Sequence, residues 1–353
     1  MTVTLQDIAD STGVTAATVS YVLNGRVDQV GEETQAKVLK TAQRLGYQPN
    51  AGARSMRSGK FGSVALVLSR DSTLSWMPKP FMLALDDELG AHNIHLIMAH
   101  LPDDRLSSDR VVPKLLREWM VDGALIDYTD HVPKRLAAMV DEHQLPVVWI
   151  NLKRERDAVY PDDHGAAANL TRRLLDLGHR RIAYLDFAHH WQPEQEAHYS
   201  MRDRIAGYRE AMQAGGCAPE VLLAREQPKP FDMWGAADHM LARSDRPTAV
   251  LTYGDMEMTP IVRAAQLRGL RVPEDLSLAM FGETPNTYPG ILGVSIATAL
   301  VPCQAVAAKS VAMLLRKIKK PAERVPSESV PFGLDEGRSL GPAPGALTRG
   351  CAR

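Results

Sequence analysis

TLQDIADSTGVTAATVSYVLNG, residues 4–25, decides how this chain is read. A short helix can begin near Thr4, carry Ile8 and Ala9 as its apolar positions, and stop at Gly13. A second can begin at Thr15, an N-cap residue type, and run to Leu23. Its Val19, Val22 and Leu23 recur at i, i+3 and i+4 and so share one face. Asn24-Gly25 ends it. Residues 32–45, EETQAKVLKTAQRL, predict a third helix with Val38, Leu39, Ala42 and Leu45 at helical spacing, closed by Gly46. Two short helices joined by a tight glycine turn, with a third over the same small core, form a helix-turn-helix. In the second helix Ala16, Ala17, Ser20 and Tyr21 lie away from the apolar face. Small residues there let a helix enter a major groove, and an alanine methyl can touch a thymine methyl. Thr15, Thr18, Ser20 and Asn24 suit phosphate oxygens. Periodicity alone fits a small surface helical bundle equally well.

Working outward, the charge is unevenly placed. The 353 residues carry 41 basic and 42 acidic side chains, a balance that by itself speaks against a nucleic-acid partner. Residues 1–35, however, hold one base against five acids, while residues 36–60 hold six bases and no acid. That basic block includes YQPNAGARSMRSGK, residues 47–60. Pro49 blocks continuation of the third helix. Ala51 to Met56 is too short to be a stable helix alone. Arg54, Arg57 and Lys60 flank Met56, a pattern that fits a segment ordered on contact with DNA, with an apolar wedge between bases, or a plain charged linker.

Residues 4–25, with EETQAKVLKTAQRLGYQPNAGARSMRSGKFGSVALVL at 32–68, resemble the DNA-binding head and hinge of the LacI/GalR family of bacterial transcription regulators. The resemblance implies that Ala16, Ala17 and Tyr21 occupy base-reading positions and that Met56 wedges into the minor groove. It places Thr4, Thr15, Thr18, Ser20, Asn24 and Tyr47 at phosphates. Met56 stands where the family usually has leucine, Tyr21 where it often has a basic residue, and Gly31 where a serine N-cap is usual.

From Gly62 on, short apolar runs alternate with helical patterns. Strands are predicted at 64–68, 95–98, 124–126, 147–150, 182–185, 249–252 and 278–281. Helices are predicted at 81–92, 110–120, 133–143, 166–177, 202–214, 235–243 and 259–268. Such alternation predicts an α/β core with parallel sheets, and some 280 residues predict two lobes. VDGALI at 121–126, LPVVWIN at 145–151, LLDLGHRRIAYL at 174–185, RIAGYREAM at 204–212, RPTAVLTYGD at 246–255 and RGLRVPEDLSLAMFGETP at 268–285 resemble the family's effector domain, which is related to periplasmic sugar-binding proteins. The expected organisation is an all-α helix-turn-helix head at 1–48, a hinge at 49–61 and a two-lobed periplasmic-binding-protein-like core at 62–340, ending in a disordered tail at 341–353. Crossovers are expected near Pro161, Pro289 and Lys319. Lobe 1 would then comprise about 62–160 and 290–318, and lobe 2 about 161–289 and 319–340.

Fold does not name a ligand, so the cleft between lobes has to be read residue by residue. Arg204 matches an effector-binding arginine of the family, and its planar fork can grip two hydroxyls or a carboxylate. Ser200, one turn earlier, shares that face. Asp255 follows a predicted strand end, where ligands of open α/β sheets collect. Trp76, Phe231 and Trp234 offer flat apolar surface for a sugar ring or ordinary packing. Gly254-Asp255 and Gly282-Glu283 replace the family's frequent Asn-Asp and Asp-Asp, so Glu283 joins the candidates and the effector is expected to differ from those of well-known members.

A hydrophobic share of 45% excludes a disordered chain. Cys217, Cys303 and Cys351 have neither zinc nor disulfide spacing. His189, His190 and His198 with Glu194 and Glu196 fit no standard metal motif, and a polar loop at the cleft rim is expected there. No nucleophile elbow, phosphate loop or GxGxxG appears. No apolar run reaches the ~18 residues of a membrane span, and no secretory signal is present. The expectation is a cytoplasmic, non-enzymatic regulator without cofactor or metal. It would be a repressor that binds operator DNA as a homodimer or higher oligomer, controlled by a sugar-like small molecule. A solute-binding sensor without a DNA role is the alternative.

Overall fold

The computed structural model describes residues 3–25, 30–48, 60–70, 75, 77–101, 120–128, 132–187, 198–224, 232–285 and 295–345. The chain divides into two compact units, Met1–Phe61 and Gly62–Arg353.

Among the described residues the first unit is helical: α1 (Leu5–Thr12), α2 (Ala16–Leu23) and α3 (Glu32–Leu45). Its boundaries follow local chemistry. Thr4 and Asp7 form a capping box at the start of α1: the Asp7 carboxylate accepts from the Thr4 amide at 2.7 Å, and the Thr4 hydroxyl accepts from the Asp7 amide at 3.3 Å. Gly13, at a φ of 73°, supplies the left-handed turn that ends α1. The Thr15 hydroxyl caps α2 by accepting from the Thr18 amide. Ile8, Ala9, Val19, Val22, Val38 and Ala42 form the core. Two expectations are corrected. Leu39 is exposed, and Thr41 is buried on the inner face of α3 instead. Ala16 is half-buried against the core, because i and i+3 bring it over Val19.

In the second unit the elements are β1 (Ser63–Ser69), α4 (Lys79–Ala91), β2 (His95–Leu101), β3 (Gly123–Asp127), α5 (Lys134–Glu142), β4 (Val147–Ile150), β5 (Ala158–Pro161), α6 (Asp163–Asp176), β6 (Ile182–Asp186), α7 (Tyr199–Ala214), β7 (Glu220–Leu223), α8 (Met233–Ala242), β8 (Ala249–Thr252), α9 (Asp255–Leu267), β9 (Ser277–Gly282), β10 (Ala297–Leu300), α10 (Cys303–Lys319), β11 (Glu328–Val330) and β12 (Gly333–Asp335). They build two six-stranded sheets, ordered β11-β5-β4-β3-β1-β2 and β12-β10-β9-β8-β6-β7. Every pairing is parallel except β10 with β12. Each sheet is covered on both faces by buried apolar residues, as helix-flanked parallel sheets require. The second unit is thus two parallel-sheet lobes, and the first an α-helical head.

The chain passes between the sheets three times: after β5, between β10 and α10, and between β11 and β12. The first crossing falls at Pro161. The other two correct the expectation. Ala297–Leu300 pairs with β9 and belongs to the second lobe, so the chain crosses at residues 301–302 and not near Pro289, which lies outside the described residues. The long helix α10 then buries Val306, Ala307, Val311 and Leu314 in the first lobe, and β11 adds to that lobe's sheet. The third crossing is therefore at 331–332, not at Lys319. Residues 341–345 also depart from the expected disordered tail. Gly341 donates to Ser277 and accepts from buried His179, and the Ala343 amide donates to the Leu177 carbonyl. The remainder of that tail, like most of the hinge 49–61 and the helix predicted at 110–120, lies outside the described residues.

Candidate functional site

In the head, α2 turns Ala17 and Tyr21 to solvent; Tyr21 is 45% exposed. Thr4, Thr15 and Asn24 are exposed beside them, while Thr18 and Ser20 are half-buried. Their polar atoms are already oriented. Thr15 and Thr18 hydroxyls lie 2.9 Å apart, and the Asn24 amide donates to the Ser20 carbonyl at 2.6 Å. Tyr47 packs half-buried against the head core. Ala16 is only partly available to a base, and Met56 lies outside the described residues.

In the core, the lobes meet at the carboxyl ends of β4 and β5, where Asn151 contacts His198 and Pro161 contacts Tyr199, the side on which such sheets collect ligands. The second lobe places Arg204 there on α7. Its Nε lies 2.7 Å from Asp163 at the start of α6, and its Nη1 donates to the Tyr253 carbonyl at 2.9 Å. The rings of Phe281 and Tyr253 lie 4.1 and 4.4 Å from the guanidinium. Burial opposes the arginine's charge, but Asp163 beside it holds it above the ordinary arginine range. Burial pushes Asp163 itself up, against the pull of Arg204. The Nε edge expected to grip a ligand is thus occupied by Asp163, which leaves a narrower outlet than a free fork.

Ser200 lies one turn before Arg204, as its spacing requires, and is buried. Its hydroxyl sits 2.7 Å from the Tyr253 hydroxyl and 2.6 Å from His198 Nδ1. Across the gap, His198 Nε2 meets the Asn151 carbonyl of the first lobe at 3.0 Å, and Lys153 pairs with Asp203 at 2.7 Å. His198 therefore joins the two lobes. His189, His190, Glu194 and Glu196 lie outside the described residues. Asp255 is exposed at the first residue of α9, and Glu283 follows β9 half-buried. Burial pushes the Glu283 carboxyl up, and Asp255 nearby adds to that shift. Behind them Glu257 is buried and accepts from the amides of Phe187 and Gly254. Burial with Asp186 alongside pushes it up to about 7. From the first lobe, Ser75 donates to the carbonyl of buried Asp127 at the end of β3.

Arg204, Ser200, Asp255 and Glu283 thus come from strand ends and helix starts of one lobe. Trp234 is exposed in the first turn of α8, and Trp76 and Phe231 lie outside the described residues. His198, expected in a polar loop at the cleft rim, lies between Ser200 and Asn151, whereas Asp163, Tyr253 and Phe281 around Arg204 were not singled out from the sequence. Of these three, Tyr253 carried a usable signal, through its place beside Gly254-Asp255 at a strand end.

A helix-turn-helix head and a two-lobed parallel-sheet core in one chain define a class of DNA-binding regulators. Residues 4–50 match the model of bacterial regulatory proteins of the lacI family, and residues 171–340 that of the periplasmic binding protein-like domain. The HTH-type transcriptional repressor PurR of Edwardsiella ictaluri is 26% identical over 346 residues, 97% of this chain and 98% of that protein. Catabolite control protein A of Priestia megaterium is 27% identical over 80% of this chain and 83% of its own. Among solved structures, the lac repressor dimer bound to operator and the anti-inducer ONPF aligns with a TM-score of 0.72 at 20% identity, covering 97% of this chain and all of that one. The complex of the transcriptional regulator CelR with cellobiose aligns at 0.61 and 24% identity, covering 96% and 99%. The chain thus combines a lacI-family DNA-binding domain with a periplasmic binding protein-like domain.

Proposed function

We propose that this chain is a repressor that reads a near-palindromic operator through α2 of two heads and releases or holds it according to a small molecule bound between the core lobes. The observation that carries the reading is α2 itself. It buries Val19 and Val22 while presenting Ala17 and Tyr21 outward between exposed Thr15 and Asn24. A helix this short has no stability alone, so an exposed face of small and polar residues held by a dedicated core fits groove entry. Two copies would set the half-site spacing, in keeping with the operator-bound dimer among the structural relatives. Ala17 and Tyr21 would read bases, with Ala16 at the edge of the contact. Thr4, Thr15, Thr18, Ser20, Asn24 and Tyr47 would meet phosphates and Met56 the minor groove.

For the effector, the described side of the second lobe is rich in acid. Asp255 and Glu283 stand at the opening, whereas the charge of Arg204 is already matched by Asp163. That balance supports a ligand offering hydroxyl or amine donors, such as a neutral or amino sugar, over a sugar acid or phosphate. Arg204, Ser200, Asp255 and Glu283 would bind it, with Trp76, Phe231 and Trp234 as candidate stacking surfaces. The protein would act without cofactor and not as an enzyme.

Fluorescence anisotropy with promoter fragments tests the first part. The full chain should bind with steep salt dependence, and a chain beginning at Gly62 should not. Equal binding by both, or by neither, refutes it. A thermal-shift screen tests the second: neutral and amino sugars should raise the core's melting temperature, and Asp255→Asn should reduce the rise. A response confined to sugar acids refutes the ligand class.

A further inference from the structure

A cavity of about 460 Å³ opens in the first lobe, away from the cleft. Its walls come from α5, the connection from β4 to β5, and the turn after α10. It takes in Val147, the first residue of β4, and Asp157, which immediately precedes β5. It therefore reaches the amino ends of β4 and β5, whose carboxyl ends meet the second lobe. The volume is within the range of small-molecule sites.

The walls are tied together around Asp157, held at a φ of 58° in the left-handed region. Its amide donates to the Val325 carbonyl at 2.7 Å. Its carboxylate accepts from the Val325 amide at 2.9 Å and from Lys317 Nζ at 2.7 Å. Arg324 pairs with Asp141 at 3.0 Å. Two cations and two carboxylates of the lining are thus engaged with each other. The remaining charged groups are Arg154, Arg156 and Glu155, two cations against one acid. The Arg154 guanidinium carbon lies over the Trp149 ring, 4.6 Å from its centroid. Among the described residues neither Arg154 nor Arg156 has a side-chain hydrogen bond or an ion pair. A guanidinium held over a buried indole by a cation–π contact keeps its N–H donors for other partners, and these match a carboxylate or phosphate in two-point contact.

We propose that this cavity is a second ligand site, separate from the cleft, for a small oxyanion gripped between Arg154 and Arg156 against Trp149. Lys317 and Arg324 are matched by Asp157 and Asp141, so the attraction for the anion comes from Arg154 and Arg156.

Isothermal titration calorimetry of the full chain at low ionic strength tests this, with pyrophosphate and citrate as separate probes. Saturable binding of one probe per chain is expected, weakened at least tenfold by Arg154→Ala and by Arg156→Ala and unchanged by Asp255→Asn in the cleft. Both arginines are exposed, so the variants should melt with the unsubstituted chain; if Arg154→Ala does not, Arg154→Gln replaces it. Binding of pyrophosphate alone assigns a phosphoryl ligand, and of citrate alone a carboxylate. No saturable binding of either probe overturns the proposal. So does binding untouched by the arginine substitutions, or binding altered by Asp255→Asn.

Discussion

Replacing Arg204 by methionine isolates the electrostatics of the cleft floor from its packing. The ion pair with Asp163 is 2.7 Å long, and the two side chains are 9% and 2% exposed. Methionine fills much of the space between the Tyr253 and Phe281 rings, so the cavity contribution is small. What remains is a buried Asp163 whose nearest countercharge is gone, with Tyr199 as a residual donor. Removing one partner of a buried pair typically costs about 3–5 kcal/mol. That is a large part of the roughly 5–15 kcal/mol of a whole domain. Burial already pushes the Asp163 carboxyl up, and without Arg204 it rises further. The loss should therefore be larger at pH 8 than at pH 5, where protonation relieves it. Asp163→Asn combined with Arg204→Met removes both charges and should lose roughly 2 kcal/mol less than the two single losses added. Urea unfolding followed by tryptophan fluorescence measures this. All five tryptophans (76, 119, 149, 191 and 234) lie in the second unit, so the head is silent. A single-variant loss below about 1 kcal/mol, or strictly additive losses in the double variant, would refute the reasoning.

Two other predictions concern the second lobe. Glu257 is pushed up to about 7 from an ordinary 4.5, so the folded state binds its proton more tightly than the unfolded chain. Its penalty is full above pH 7 and is relieved as pH falls towards 4.5, a gain on the order of 3 kcal/mol. Glu257→Gln should flatten that part of the stability–pH curve, and parallel curves would dismiss the cause. In exposed helices Gly→Ala stabilises by ~1 kcal/mol. At Gly207, on α7, an added Cβ would lie 2.2 Å from the His164 carbonyl oxygen and 3.1 Å from the Ala168 amide of α6. Backbone cannot yield as a side chain does, so Gly207→Ala should instead lower stability by about 1–3 kcal/mol, read by thermal melting; a rise would show that the helices can part.

The head was legible from residues 4–46 because its signals are local. Caps at Thr4 and Thr15 and left-handed glycines at 13 and 46 act over three or four residues, and so does the spacing that buries Val19 and Val22. Central strands such as Val147–Ile150 and Ala249–Thr252 were equally legible, since burial on both faces demands unbroken apolar runs. Tertiary structure decided the rest. Short edge strands such as Glu220–Leu223 and Gly333–Asp335 carry too little pattern to announce themselves. Which lobe takes β10 and which takes α10 depends on the sheet that each meets, and that choice moved two crossovers by about a dozen residues. The same holds for the sites. Arg204 could be picked out by its motif, but its partner stands 41 positions away, and only the packing of α6 on α7 brings Asp163 to its Nε. Asp157 meets Val325 across 168 positions to wall the second cavity. Periodicity encodes an element's face, whereas the identity of what that face meets is set by closing long loops, for which local sequence has no signal.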